Sequence, residues 1–93
     1  MSIQFTWDPK KAAANLRKHR VGFPEPATAF ADRHSITIPD PDHSIGEERF
    51  VLLGQSDRHR LVVVPHAERG DLIRIISARL ASRHERNTYE EEA

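Results

Sequence analysis

Three runs in the second half of the chain constrain its fold most, because each has the alternation or composition of a β-strand. They are RFVLLGQ at residues 49–55, RLVVVPH at 60–66 and LIRIISAR at 72–79. Short polar connections separate the runs, and QSDRH at 55–59 has the composition of a hairpin connection. Pro65 stands near the end of its run, where a missing N–H donor does least damage. The pattern predicts consecutive strands of a mostly antiparallel sheet.

The first forty residues predict two helices between two strands. Ile3, Phe5 and Trp7 alternate with polar residues, which is typical of a short strand. Asp8-Pro9 then favours a helix start, with Asp as the N-cap and Pro in the first turn. The predicted elements of this part are a strand at 3–7, helices at 9–19 and 24–32, and a strand at 35–39.

The end of the chain predicts a third helix. Ser82 and Glu85 match the S-x-x-E capping box, so the helix is expected to run from Ser82 to about residue 91, with a start at Ser77 as the alternative. The element order is then β-α-α-β-β-β-β-α. This order predicts an α+β fold, with helices on a mostly antiparallel sheet and one domain over residues 1–93.

Charge is unevenly distributed in a chain whose formal net charge is zero. Residues 58–86 hold seven arginines and no lysine against three acidic residues, a local balance of plus four. Guanidinium groups favour bidentate recognition of phosphate, although a solvated, salt-bridged face is the alternative interpretation. In a straight strand Arg79 would share a face with Ile73 and Ile75, and Arg74 would lie on the other. The predicted phosphate-binding residues are Arg60, Arg74, Arg79, Arg83 and Arg86.

Histidine and other titratable side chains near these arginines suggest a chemistry. Cleaving RNA without a metal requires a group that deprotonates the 2′-hydroxyl, a group that protonates the leaving oxygen, and cations that stabilise the charged phosphorane. The predicted catalytic residues are His66, Glu48, Tyr89, Arg79 and Arg83. Each also has a structural interpretation: His66 as a strand-end surface histidine, Glu48 as an arginine partner, and Tyr89 as a packing residue. Substitution of Arg79 or Arg83 is expected to abolish activity, and substitution of Lys10 to do little.

Metal and cofactor sites are not predicted. Asp40-Pro-Asp-His43, with His34 upstream, offers oxygen and nitrogen donors, but its spacing matches no zinc or calcium pattern, so we interpret it as a polar turn. The sequence has no cysteine, which excludes disulfides and thiolate metal sites, and no Gly-rich phosphate loop. The N-terminus lacks an apolar signal core and no run approaches membrane-spanning length, so a cytoplasmic location is predicted.

Three stretches carry a resemblance to a known family: FTWDPKKAAANLRKHRVGF, DHSIGEERFVLLGQS and IRIISARLASRHERNTYEE. Together they resemble the BrnT family of type II toxins over nearly the whole chain. The resemblance implies a RelE-like fold, a ribonuclease that arrests translation, and neutralisation by a BrnA antitoxin that dimerises and binds its own operator DNA. One departure is Arg20, where the family commonly has Gly, which suits a left-handed helix cap better.

Several readings of function therefore remain open. The first is a metal-independent endoribonuclease toxin without a cofactor, with RNA as substrate, a BrnA-type antitoxin as partner, and operator DNA reached only through that antitoxin. The second is a non-catalytic module that binds a partner and helps a repressor hold DNA. A small-molecule enzyme ranks third, because no motif for one is present. An arginine surface that binds RNA phosphates could equally bind an acidic segment of the antitoxin.

Overall fold

Six strands and three helices make up the protein in a computed structural model that describes residues 3–92. The strands are β1 (Gln4–Thr6), β2 (Ile36–Pro39), β3 (Arg49–Gln55), β4 (Leu61–Arg69), β5 (Leu72–Ile75) and β6 (Arg79–Leu80). The helices are α1 (Pro9–His19), α2 (Pro24–Ala29) and α3 (Arg83–Glu92), with a single 3-10 turn at Pro41–His43. None of the helices in residues 3–92 has the length and apolar content that crossing a membrane requires.

The strands form one sheet in the order β1-β5-β4-β3-β2, and β6 pairs with the free part of β4. The β1–β5 pair is parallel and the other pairs are antiparallel, which confirms the predicted α+β class with a mostly antiparallel sheet. β3 has the predicted bounds, whereas β4 extends to Arg69, beyond the predicted end at 66, before the chain turns at Gly70 with φ 60°.

The two faces of the sheet have different neighbours. α1 and α2 cover the face that carries the main core, whose largest members include Phe23, Val62, Val64 and Ile75. The opposite face is partly covered by α3, whose Glu85 and Thr88 line a groove together with Val63 of β4. The rest of that second face is open.

α1 has the predicted bounds because its two ends are well defined. The Asp8 carboxylate accepts a hydrogen bond from the Lys10 backbone N–H at 2.8 Å, as an N-cap should. At the other end Arg20 adopts the left-handed conformation, with φ 61°, and its N–H donates to the Leu16 carbonyl at 3.0 Å. The helix therefore closes as it would with glycine, although an arginine occupies the left-handed position.

The last predicted strand, 72–79, is interrupted, so one predicted strand becomes β5 and β6. The Ala78 backbone pairs with the side chain of Asn15 on α1 instead of with a strand: its N–H donates to Oδ1 at 3.1 Å and its carbonyl accepts from Nδ2 at 2.8 Å. The N–H groups of Ile76 and Ser77 both point to the carbonyl of Pro65. The extra residue in this bend changes which side chains share a face.

The bend corrects the predicted orientation of two arginines. Arg74 is opposite Ala67 and Arg79 is opposite Val63, and both partners lie on the same face of β4. Arg74 and Arg79 therefore share the open face, whereas a straight strand would have placed them on opposite faces. The prediction of opposite faces is wrong for this reason.

The capping box at the start of α3 is formed as predicted. The Ser82 N–H donates to the Glu85 carboxylate at 2.8 Å, and the Glu85 N–H donates to the Ser82 hydroxyl at 3.2 Å. The alternative start at Ser77 is wrong, since residues 79–80 belong to β6.

Candidate active site

Arg60, whose side chain is 35% exposed, is held in place by an ion pair. Its Nε donates to the Glu25 carboxylate at 2.9 Å, and a second guanidinium nitrogen also contacts that carboxylate. Glu25 is only 8% exposed and also accepts from the Ser56 hydroxyl at 2.7 Å. The hydrogen bond from Arg60 is the largest influence that lowers the pKa of Glu25. Arg60 therefore compensates a buried carboxylate and ties α2 to the β3–β4 connection.

Arg79 is also paired within the chain. Its two terminal nitrogens donate to the two oxygens of Glu85, both at 2.8 Å, in a bidentate geometry. This interaction, helped by the Ser82 bonds, lowers the pKa of Glu85 to about 2. The pair links β6 to the first turn of α3, so part of the charge of Arg79 is neutralised before any ligand arrives.

Four further arginines differ in how they are held. Glu47 accepts hydrogen bonds from both Arg49 and Arg74, which places two guanidiniums on one carboxylate. Arg83 and Arg86 are exposed on α3 and form no salt bridge with any of residues 3–92. Of the five predicted phosphate-binding arginines, these two are the ones whose charge is fully available.

His66, the first predicted catalytic residue, is fully buried. Its ring packs edge-on against Phe30 and is stacked with Phe50. Its Nδ1 lies 2.9 Å from the Val64 carbonyl, and its Nε2 lies 3.0 Å from the Glu68 carboxylate. Because both ring nitrogens are engaged, no nitrogen is left to take a proton from a substrate. This placement argues for a structural role.

Tyr89 lies far from His66, and Glu48 lies beside Glu68, whose N–H donates to the Glu48 carbonyl at 3.3 Å. The Tyr89 hydroxyl donates to the Asp32 carboxylate at 2.6 Å, and burial together with this bond raises the pKa of Tyr89 to about 12. Tyr89 borders a pocket with Leu61, which is about 16 Å along β4 from His66. Glu48 is exposed just before β3. The structure does not bring the three predicted catalytic side chains together.

A different set of residues meets around the start of β3 and the break after β5. The Nδ1 atom of His43 lies 2.9 Å from the Asp40 carboxylate, and 65% of the His43 side chain is exposed. Both residues border a pocket of about 270 Å³, which we call the dyad pocket. Its other lining residues are Arg49, Phe50, Pro65, His66, Ile76 and Ser77.

The loop that carries the dyad is fixed against β3. The Asp40 N–H donates to the Arg49 carbonyl at 2.8 Å, and the Ser44 hydroxyl donates to the Asp40 carbonyl at 2.7 Å. The Arg49 N–H in turn donates to the Ser44 hydroxyl at 3.0 Å. These bonds hold His43, Asp40 and Arg49 on one wall of the pocket.

In the sequence, Asp40 and His43 are candidates only for metal ligation, and the stretch that holds them is interpreted as a polar turn. The missed signal is their spacing of three residues, which brings two side chains together in one helical turn. Among residues 3–92, no group of three or more His, Cys, Asp or Glu side chains is arranged to hold a metal ion.

Comparison with known proteins agrees with this fold. A crystal structure of the Brucella abortus ribonuclease toxin BrnT, at 1.1 Å resolution, is similar to this chain with a TM-score of 0.67 and 20% sequence identity. The match covers 88% of this chain and 100% of that one. No curated protein sequence matches. The model of the family described as the ribonuclease toxin BrnT of type II toxin–antitoxin systems matches residues 7–85. The chain therefore belongs to the BrnT family of ribonuclease toxins.

Proposed function

We propose that this protein is a metal-independent endoribonuclease that inhibits translation, and that its reaction centre is the dyad pocket. The observation that carries the proposal is the exposed His43 ring, which is bonded to Asp40 through one nitrogen and lies in the same pocket as Arg49. The His43 Nε2 atom has no hydrogen-bond partner in the part of the chain that the structure describes. An oriented imidazole with one free nitrogen beside a cation is the arrangement that acid–base cleavage of RNA requires.

The reaction follows from this geometry. The Asp40 carboxylate accepts the Nδ1–H of His43 and so leaves Nε2 as the proton acceptor. Nε2 takes the proton of the substrate 2′-hydroxyl, whose oxygen attacks the neighbouring phosphorus. The bond between phosphorus and the 5′ oxygen breaks, and that oxygen takes a proton from water. The products are a 2′,3′-cyclic phosphate and a 5′-hydroxyl end, and His43 returns its proton to solvent.

Arg49 supplies the positive charge in this scheme. Arg49 lines the dyad pocket, and its guanidinium would stabilise the negative charge that accumulates on the phosphorane oxygens. Its contacts with Glu47 are long, 3.4 Å each, so the pairing is weak enough to be exchanged for a phosphate. Arg83 and Arg86 remain predicted contacts for the rest of the RNA.

The test is RNA cleavage by the purified protein in excess EDTA. His43→Gln should reduce the cleavage rate by about 100-fold or more, as loss of a general base does. His84→Gln is the matched control, because His84 is an exposed histidine on α3, and it should leave the rate unchanged. Asp40→Asn should give an intermediate loss and should leave the melting temperature nearly unchanged.

Three results would contradict the proposal. Cleavage that disappears in EDTA and returns with one divalent metal would show a metal mechanism. Equal rates for His43→Gln and the unaltered chain would move the reaction centre elsewhere. No cleavage of any RNA by a protein that still binds its partner would favour the non-catalytic alternative.

Membership in a type II toxin–antitoxin family implies an antitoxin partner. We propose that a BrnA-type antitoxin covers the apolar groove lined by Ile36, Ile38, Val51 and Leu53 on β2 and β3. Ile38 is 56% exposed, so its burial would stabilise a complex.

The groove is tested with the product of the adjacent reading frame. Ile38→Glu should weaken that complex by at least about 100-fold, because it places a charge in an apolar contact, and Ile45→Glu is the control at a 90% exposed site outside the groove. Equal affinities for the two variants would place the antitoxin on another surface.

A further inference from the structure

Within residues 3–92, the largest group of cations without a salt bridge lies on α1 and its C-terminal cap. Lys10, Lys11, Arg17, Lys18 and the capping Arg20 are all exposed, and none forms a salt bridge with any residue between 3 and 92. In the same stretch Asp8 is the one acidic residue, and its carboxylate caps the helix. The charge of α1 is therefore available to a ligand.

Helix geometry arranges four of these cations in two rows. Residues seven apart lie two turns apart on nearly the same side of a helix, so Lys10 lies in line with Arg17, and Lys11 with Lys18. Each row spans about 10 Å along the axis. Asn15, the buried residue of the helix, points toward the body of the protein. Lys10 and Arg17 point away from the body, whereas Lys11 and Lys18 lie exposed at the edge of the face that carries Asn15. We call these four side chains the α1 stripe.

Helix stability explains the positions of only two of the four cations in the stripe. Cations in the last turn, such as Arg17 and Lys18, are favoured by the helix dipole. Lys10 and Lys11 lie in the first turn, where the same dipole disfavours positive charge, and the first turn has no acidic residue. A ligand with negative charge gives these two lysines a role that helix stability does not.

α1 lies beside the dyad pocket. The Ser77 hydroxyl donates to Oδ1 of Asn15 at 3.1 Å, and Ser77 is one of the residues that line the pocket. The Nδ2 of Asn15 also donates to the carbonyls of Val21 and Ala78, so the helix is fixed in this position. One wall of the dyad pocket is therefore bonded to α1, so the reaction centre and the helix keep a fixed relative position.

We propose that the α1 stripe binds the phosphate backbone of RNA outside the reaction centre. This inference rests on the proposed ribonuclease function, for which it names the part of the surface that holds the substrate. Phosphates spaced along a strand match repeated cations along a helix, and such contacts dominate affinity for nucleic acid.

RNA suits the stripe better than an acidic protein segment does. Lysine is depleted from protein–protein interfaces, and three of the four stripe residues are lysines. Leu16 is the one large apolar side chain of α1 that is strongly exposed, at 52%, so the helix offers little apolar area for a protein to bury. The groove on β2 and β3 offers a protein partner much more apolar area to bury.

The experiment measures binding of a 2′-O-methyl RNA, which the proposed mechanism cannot cleave, across a series of salt concentrations. The variant Lys10→Gln/Lys11→Gln/Lys18→Gln keeps good helix formers on α1. The control Arg33→Gln/Arg58→Gln/Arg69→Gln removes the same charge from exposed arginines elsewhere. The variant should lower the slope of log affinity against log salt by about 2, because each lost contact with a single strand removes about 0.7. The control should change it by less than half as much.

A charge-preserving variant, Lys10→Arg/Lys11→Arg/Lys18→Arg, should keep the slope of the unaltered chain and so separates charge from folding. Equal slopes for the glutamine variant and its control would overturn the inference, since only the overall charge would then matter. If the glutamine variant kept the slope of the unaltered chain but bound the antitoxin more weakly, the inference would also be overturned. The stripe would then be a binding surface for the protein partner. The modified RNA cannot be cleaved, so this binding experiment does not depend on catalysis. A failure to cleave unmodified RNA would count against the proposed function and not against the α1 stripe.

Discussion

Replacing Glu85 by Gln would test the interaction that attaches α3 to the sheet. Glu85 accepts two hydrogen bonds from Arg79 and one from the Ser82 N–H, all at 2.8 Å. Glutamine also serves in a capping box, so the substitution keeps the helix cap and removes the charge. The variant therefore isolates the ion pair with Arg79 from the folding of the first turn.

The magnitude follows from the pKa of Glu85, which Arg79 lowers from its ordinary value of 4.5 to about 2. A full shift of this size corresponds to about 3 kcal/mol at neutral pH. Because 43% of the Arg79 side chain is exposed to solvent, which screens the pair, we expect about 1–2 kcal/mol. For a chain of this length that loss lowers the melting temperature by about 5–15 °C.

The pH dependence has a defined sign. The folded-state pKa of Glu85 is lower than the unfolded value, so the ion pair contributes fully above pH 4.5 and its contribution disappears as the pH falls toward 2. Thermal unfolding of the unaltered chain and of Glu85→Gln should therefore differ most at pH 7. By pH 3 the difference should be less than half of that value.

A difference in melting temperature that is the same at pH 7 and pH 3 would refute this reasoning, because the lost stability would then not come from an ionised carboxylate. Glu91→Gln is the control: Glu91 lies near the C-terminal end of α3, where the helix dipole disfavours negative charge. This control should leave the melting temperature unchanged or raise it slightly.

Three further substitutions separate structure from chemistry. Tyr89→Phe should lose the bond to Asp32 and about 1–2 kcal/mol in urea unfolding while cleavage continues, and loss of cleavage in a folded variant would restore Tyr89 as a catalytic residue. Arg60→Met should lower the free energy of unfolding by about 3 kcal/mol, because Glu25 is left buried and unpaired. Adding Glu25→Gln should recover part of that loss, and no recovery would contradict the pairing. Gly54→Ala should cost about 1–3 kcal/mol, because its Cβ would lie 3.0 Å from a backbone oxygen of α2, and an unchanged melting temperature would show that the backbone yields there.

The parts of the fold that follow from local patterns were predicted from the sequence. Asp8-Pro9 defined the start of α1, alternation and composition gave β3, and the S-x-x-E pattern gave the cap of α3. The break between β5 and β6 could not be predicted in this way. It depends on Asn15, which is 63 residues from Ala78 and replaces a strand partner with its side-chain amide.

The site was harder to predict for the same reason. His66 looked like a surface histidine at a strand end, but β4 continues past it to Arg69 and the aromatic rings of Phe30 and Phe50 enclose it. The pairing of His43 with Asp40 is local, yet its meaning depends on Arg49 and Ser77, which only the folded sheet brings to the same pocket.

Arginine and lysine have different positions in this chain, and the difference changes which surface is the more positive. Counting Glu25 and Glu47, which pair with Arg60 and Arg74, lowers the balance of residues 58–86 from plus four to plus two. Residues 8–20 carry five cations against Asp8, with no such pairing, and they include all three lysines of the chain. Arginine meets carboxylates through planar, multiple hydrogen bonds, which suits it to internal pairs, whereas lysine remains a solvated point charge. The proposed role of α1 therefore conflicts with the prediction that substitution of Lys10 does little, and the salt dependence of RNA binding by the Lys10→Gln/Lys11→Gln/Lys18→Gln variant decides between the two.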